Sequence, residues 1–126
     1  MNTTEIGRLG EKIAARYLKK NKFKILETNR HESHNEIDII ASDKEYILFV
    51  EVKTRSVSED LYSAYGSPAS AVDFRKQARL LRAAKDYLLS HPTLQKQPRM
   101  DIIEIYLERN TKRILKIHHI PNAFGA

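Results

Sequence analysis

The stretch EIDIIASDKEYILFVEVKT (36–54) holds two runs of branched and aromatic residues, 36–41 and 46–54, with only SDKE between them. Runs of that composition and length read as strands, and so short a polar spacer means an antiparallel hairpin. The second run, with YILFV at 46–50, is the most apolar segment of the chain, which makes it the central strand of a sheet. A turn near Lys44 and Glu45 sets Asp38 opposite Glu51 and Glu36 opposite Lys53. Because side chains alternate, Asp38, Glu51 and Lys53 are expected on one face, with Ile37, Ile39, Val50 and Val52 pointing to the other as core. Two carboxylates about 5 Å apart on one sheet face repel unless a cation sits with them.

Upstream, Ile6, Leu9, Ile13 and Tyr17 recur at three- and four-residue steps, so 4–20 reads as an amphipathic helix capped by Thr3 or Thr4. KFKILET (22–28) reads as a strand and NRHESHN as polar punctuation before the hairpin. Downstream, 55–69 carries Ser, Gly and Pro without a sustained period and reads as a long flexible loop, a candidate substrate flap. Phe74, Ala78, Leu81, Ala84 and Leu88 mark a second helix over 72–90, ended at His91-Pro92. RMDIIEIYLE (99–108) and RILKIHHI (113–120) form a last pair of strands. The expected architecture is α/β, in the order α-β-β-β-α-β-β, with a central mixed five-stranded sheet flanked by helices in one domain over 1–126.

Composition narrows the function classes. With no cysteine among its 126 residues the chain can build neither a disulfide framework nor a thiolate zinc site. Its longest apolar run is too short to cross a bilayer, and the N-terminus lacks a signal-peptide core, so the expectation is a cytoplasmic protein without a membrane partner. Twenty-two Lys and Arg against 16 Asp and Glu, a formal charge of +6, favour a polyanionic partner.

The bland reading of Glu51 and Lys53 is a solvated pair on an edge strand, an interaction worth about 0–1 kcal/mol. Their place inside the most apolar strand, beside an acid on a neighbouring apolar strand, argues against it, because unpaired charge is expensive there. Carboxylate oxygens completed by water and a phosphate suit Mg²⁺ or Mn²⁺. Lys53 is a compact charge able to orient a water or touch a phosphate. His31 and His34 have the spacing of a metal pair but no further nitrogen or thiolate ligand near them, so no zinc site is expected.

Taken in order, GRLGEKIAARYL (7–18), NEIDII (35–40), YILFVEVKTR (46–55), Lys76-Gln77 on the second helix and a terminal PNAF (121–124) resemble the YraN-like proteins of bacteria. The likeness runs from about Gly7 to Phe124. That family is similar to archaeal Holliday junction resolvases within the PD-(D/E)XK, restriction-endonuclease-like superfamily of metal-dependent nucleases. The resemblance implies that fold. Asp38, Glu51 and Lys53 match the superfamily signature, and Glu11 matches the extra helical acid that many members aim at the metal. Lys76 and Gln77 match an auxiliary polar pair. Asn35 stands where relatives usually have Gly, and Asn is suited to a left-handed turn there. Gly7, Ala14 and Ala15 are small enough to let the first helix approach the sheet closely.

The expected site is therefore Asp38, Glu51, Lys53, Glu11 and Gln77 for catalysis, with Asp38, Glu51 and Glu11 on the Mg²⁺ or Mn²⁺. Arg55, Arg75, Lys76 and Arg79 are expected to contact nucleic acid. The activity implied is endonucleolytic hydrolysis of DNA, branched or junction DNA included, by a protein whose homodimer would suit a symmetric junction. The alternative is a non-cleaving nucleic-acid-binding or assembly module that keeps the fold.

Overall fold

Asn2 caps the first helix, α1 (Thr3–Lys20): its side chain accepts the Glu5 N–H at 2.9 Å and Glu5 accepts the Asn2 N–H in return. The cap lies one residue ahead of the expected threonines because only Asn2 has a Glu three positions on to close the box. In the computed structural model, which describes residues 1–32, 34–59 and 72–125, five strands follow. They are β1 (Lys24–Glu32), β2 (Asn35–Ser42), β3 (Tyr46–Val57), β4 (Gln97–Glu108) and β5 (Ile114–Phe124), with α2 (Phe74–Ser90) between β3 and β4. They form one sheet in the order β1-β2-β3-β4-β5, so β3 is central as expected. Only β3 and β4 run parallel, which makes the sheet mixed.

The strands outrun their sequence signals because partners supply backbone bonds to segments with polar side chains. β1 continues to Glu32 since β2 pairs with it as far as Glu32–Asn35, and the expected polar punctuation shrinks to a tight turn. The left-handed residue of that turn is His34, with φ 65°, rather than Asn35, which begins β2. β3 continues to Val57 because β4 pairs with it throughout, so the start of the expected 55–69 loop is strand. Residues 60–69 of that loop lie outside the described residues. β5 passes through Pro121, which an edge strand tolerates.

The helices cover opposite faces. α1 lies over Ile39, Leu48, Val50, Val52, Ile103 and Ile105, while α2 lies over Ile40, Ile47, Phe49, Met100 and Ile102. α2 begins after Asp73, whose side chain accepts the Lys76 N–H at 2.8 Å. Its buried residues are Leu80, Ala83, Ala84 and Tyr87, not the expected stripe through Phe74 and Ala78. Phe74 is 87% exposed. Two adjacent stripes of this helix are apolar, and the Tyr87 ring, edge-on to Phe49 with centroids 5.9 Å apart, marks the one that faces the sheet.

Ile37 also departs from expectation, packing on the α2 side with Ile40 instead of sharing a face with Ile39. Asn29, the β1 residue across from Asp38, is left-handed with φ 51°, and regular pairing skips both. The β2–β3 ladder ends at Ile39–Val50, so the first residues of β2 are released from the alternation of the rest.

Two contacts dock α1. At Gly10 an added Cβ would lie 1.8 Å from Thr54 Oγ1, so the helix backbone touches β3 there. Gly7, expected to serve that purpose, faces open space, whereas Ala14 is fully buried. Further along, the Tyr17 hydroxyl meets His119 Nδ1 at 3.0 Å, and His119 Nε2 meets Asp101 Oδ2 at 2.6 Å. Burial alone would raise the Asp101 carboxyl, yet hydrogen bonds from Arg99, His119 and the Asn122 N–H hold it below the usual carboxylate range. Neither described helix is long and apolar enough to cross a membrane.

Gly10→Ala should therefore destabilise the fold by about 1–3 kcal/mol, because the new methyl meets a strand and not a flexible tip. Gly7→Ala, at an open helical position, should stabilise it by about 0.5–1 kcal/mol. Urea unfolding of the two variants against the parent reads both signs.

Candidate metal centre

The hairpin register is the one read from the sequence: Ile39 opposes Val50, Ile40 Phe49, Ala41 Leu48 and Ser42 Ile47. One step beyond the Ile39–Val50 pair, Asp38 and Glu51 come together. Asp38 Oδ2 accepts the Val52 N–H at 2.8 Å, so a side chain takes over a bond that the β2 backbone gives up. The Asp38 and Glu51 carboxylates are close enough to share a hydrogen bond when one carries a proton. Glu51 is only 5% exposed, and its Oε2 makes no hydrogen bond. Lys76 Nζ lies 2.7 Å from that oxygen but off hydrogen-bonding angles, so their contact is Coulombic.

Glu11 joins from α1, aimed by the close docking at Gly10. Carboxylate oxygens of Glu11, Glu36 and Asp38 lie within 4.8 Å of one another. The Asn29 amide, turned with its nitrogen toward these acceptors, donates to Glu11 Oε1 at 3.2 Å and Glu36 Oε1 at 2.9 Å. A cavity of about 420 Å³ exposes Glu11, Asp38, Glu51, Lys53 and Lys76 to a common space. A second, of about 460 Å³, borders Glu11, Asn29 and Glu36, so Glu11 stands between the two.

Such crowding shows in protonation. Burial, then the neighbouring Glu51 carboxylate, push Asp38 up to about 9, against the Val52 N–H that lowers it. Burial also raises Glu11, helped by the charges of Glu36 and Glu51 and opposed by hydrogen bonding with Asp38 and Asn29. A hard divalent cation fits this donor set. Every donor is a carboxylate oxygen, one buried oxygen of Glu51 lacks a hydrogen bond, and the half-buried Asp38 beside it is pushed toward its neutral form.

The structure thus brings together Asp38, Glu51, Lys53, Glu11 and Lys76 of the expected residues. Gln77 lies apart, its amide donating to the Val72 carbonyl at 3.0 Å at the start of α2. Arg55 pairs through Nε with the fully buried Glu104 at 3.0 Å, and Tyr106 donates to the same carboxylate. Arg75 and Arg79 are exposed on α2 and do not line the acidic cavity. Glu36 and Asn29 were missed from the site. Glu36 alternates with Asp38 along its strand, the one signal available, whereas Asn29 fell in a segment read as a loop.

A raised carboxyl destabilises the fold over a defined pH range. Below about pH 4 Asp38 is protonated folded or unfolded, and above it the unfolded chain releases a proton that the fold retains, so stability falls as pH rises toward about 9. Asp38→Asn should consequently raise the unfolding free energy at pH 8 in chelator by on the order of 1–2 kcal/mol, with little change at pH 4. Thermal unfolding at the two pH values tests this, and equal shifts at both would contradict it.

Residues 10–105 match the model of the Uncharacterised protein family UPF0102. A UPF0102 protein of Caldanaerobacter subterraneus subsp. tengcongensis is 46% identical over 124 residues, 98% of each chain. A UPF0102 protein of Acetivibrio thermocellus is 40% identical, over 98% of this chain and 93% of its own. One from Clostridioides difficile is 39% identical, over 98% of this chain and all of its own. With matches of that extent the chain belongs to the UPF0102 family.

Proposed function

We propose that the protein is a metal-dependent nuclease that hydrolyses phosphodiester bonds in DNA, with branched or junction DNA among its substrates. The observation that carries this reading is the meeting of Asp38 and Glu51 in a desolvated corner, where burial and mutual repulsion favour a divalent cation over two separate charges. The acidic residues fit Mg²⁺ or Mn²⁺, and the sequence likeness to resolvase-type nucleases points the same way.

Asp38 and Glu51 would hold the cation, with Glu11 and Glu36 at its flank. When bound, such a cation lowers the pKa of a coordinated water and offsets charge on phosphate oxygens. Lys53 reaches the same cavity as Asp38, Glu51 and Glu11, and its ammonium would hold a non-bridging phosphate oxygen or orient the attacking water. The Val52 N–H fixes one Asp38 oxygen, leaving the other for the cation. Lys76 Nζ lies 2.7 Å from Glu51 Oε2 and, with a cation held by the acids, its ammonium would be released to meet a phosphate. That ion pair is also what favours the second reading, a non-cleaving nucleic-acid-binding module that balances its buried acid with its own lysine.

Linear, flapped and four-way-junction DNA, and RNA, should be incubated with the protein in Mg²⁺, Mn²⁺ or chelator. Cutting of DNA is expected only with metal, reduced about a hundredfold or more in Asp38→Ala, Glu51→Ala and Lys53→Ala. Binding that persists in chelator, without cleavage of any substrate in either metal, would replace the nuclease by the binding module.

A further inference from the structure

At the end of the sheet away from the acidic corner, four lysines from three parts of the chain border one cavity of about 540 Å³. Lys22 follows α1, Lys24 begins β1, Lys44 lies in the β2–β3 turn and Lys96 precedes β4. Asp43 and Glu45 also line the cavity and leave two positive charges in excess. The Asp43 carboxylate is engaged by the N–H groups of Tyr46 and Glu45 at 2.7 and 2.9 Å, which hold it below the usual carboxylate range. Lys96 Nζ donates to the Asp43 carbonyl at 2.5 Å, which ties one ammonium to the rim.

Lys22 adds an independent observation. It has φ 69°, at the place after a helix where Gly or Asn is the ordinary residue, and its side chain is exposed. A lysine there is held in a backbone conformation that disfavours it and gains no burial in return. What it contributes is charge beside Lys24, Lys44 and Lys96, where like charges repel until an anion joins them. Exposed Lys19 and Lys20, in the last turn of α1, carry the positive surface beyond the cavity, further than one small anion would need.

We propose that this pocket is a second phosphate site, holding the backbone of a nucleic-acid strand at a distance from the acidic corner. From Tyr46 to Glu51 alone β3 covers about 17 Å, so one extended strand or duplex could meet both ends of the sheet. The inference shares its partner class with the nuclease reading but does not depend on cleavage.

The test is binding of labelled single-stranded and duplex oligonucleotides in chelator, from 50 to 200 mM salt. Lys22→Ala with Lys24→Ala is compared with Lys85→Ala plus Lys116→Ala, a pair that removes equal charge elsewhere. The pocket pair should bind about tenfold more weakly than the control pair near 0.1 M salt, with the log–log salt slope reduced by about 1–2. Lys22→Gly should weaken binding while raising the thermal midpoint, a combination that a merely structural lysine would not give. Equal losses in both pairs would overturn the site. Displacement of the oligonucleotide by inorganic pyrophosphate at matching phosphate concentration would assign the pocket to a small ligand and overturn the strand reading. Metal-dependent cutting is measured separately, at saturating protein, so failure here leaves the nuclease reading standing and the reverse also holds.

Discussion

Asp43 accepts the backbone N–H groups of Glu45 and Tyr46, and from that turn the register of β2 against the central strand β3 is counted. Ile47 then opposes Ser42, Val50 opposes Ile39, and the next step brings Asp38 against Glu51. A slip of one residue would turn Glu51 to the α1 face and replace it by Val50 or Val52 in the acidic corner. Burial on both faces forbids that slip, since Phe49 is needed under α2 and Val50 under α1. The hydrophobic core therefore positions the acids, although it contains none of them.

The corner is expensive to keep. Glu51 and Asp38 sit where water is scarce, and the surroundings only partly relieve them: Lys76 by charge, the Val52 N–H by one hydrogen bond, Asn29 by its amide on the flanking acids. The rest of α1 is fastened as if to resist the repulsion on Glu11. Gly10 rests on Thr54, and Tyr17 ties through His119 to an Asp101 carboxylate that is fully buried and well satisfied. One buried acid is thus paired completely and another is left short of partners, within the same sheet. Complete pairing suits a structural group, and incomplete pairing suits one that waits for a ligand.

What was legible in the sequence follows from this division. The 46–50 run could only be a central strand, and a four-residue spacer could only be a hairpin, so Asp38 and Glu51 came out of periodicity and counting. Glu11 and Lys76 lie on helices, and no spacing rule says which helical polar residue meets a sheet; the likeness to a known family supplied them. Asn29 was out of reach, because a left-handed residue inside a strand is written in tertiary pairing and not in local pattern. The face of α2 misled for a related reason. Leucines at 80, 81, 88 and 89 permit more than one buried stripe, and only the ring of Tyr87 against Phe49 selects among them.

Charge adds a constraint that neither site expresses alone. The acidic corner repels a phosphate backbone whenever it lacks a cation, while the chain as a whole is positive by six. On the proposed reading a polyanion would be drawn first to basic surface, to the lysine end of the sheet and to Arg75 and Arg79 on α2, and would meet the acids afterwards. A divalent ion in the corner would remove that repulsion, since its two positive charges match the two negative ones of Asp38 and Glu51. On the proposed reading, separate placement of the two charge regions would let the protein hold a strand without metal and engage its phosphates chemically only with it, so that attraction and chemistry would answer to different ions in solution.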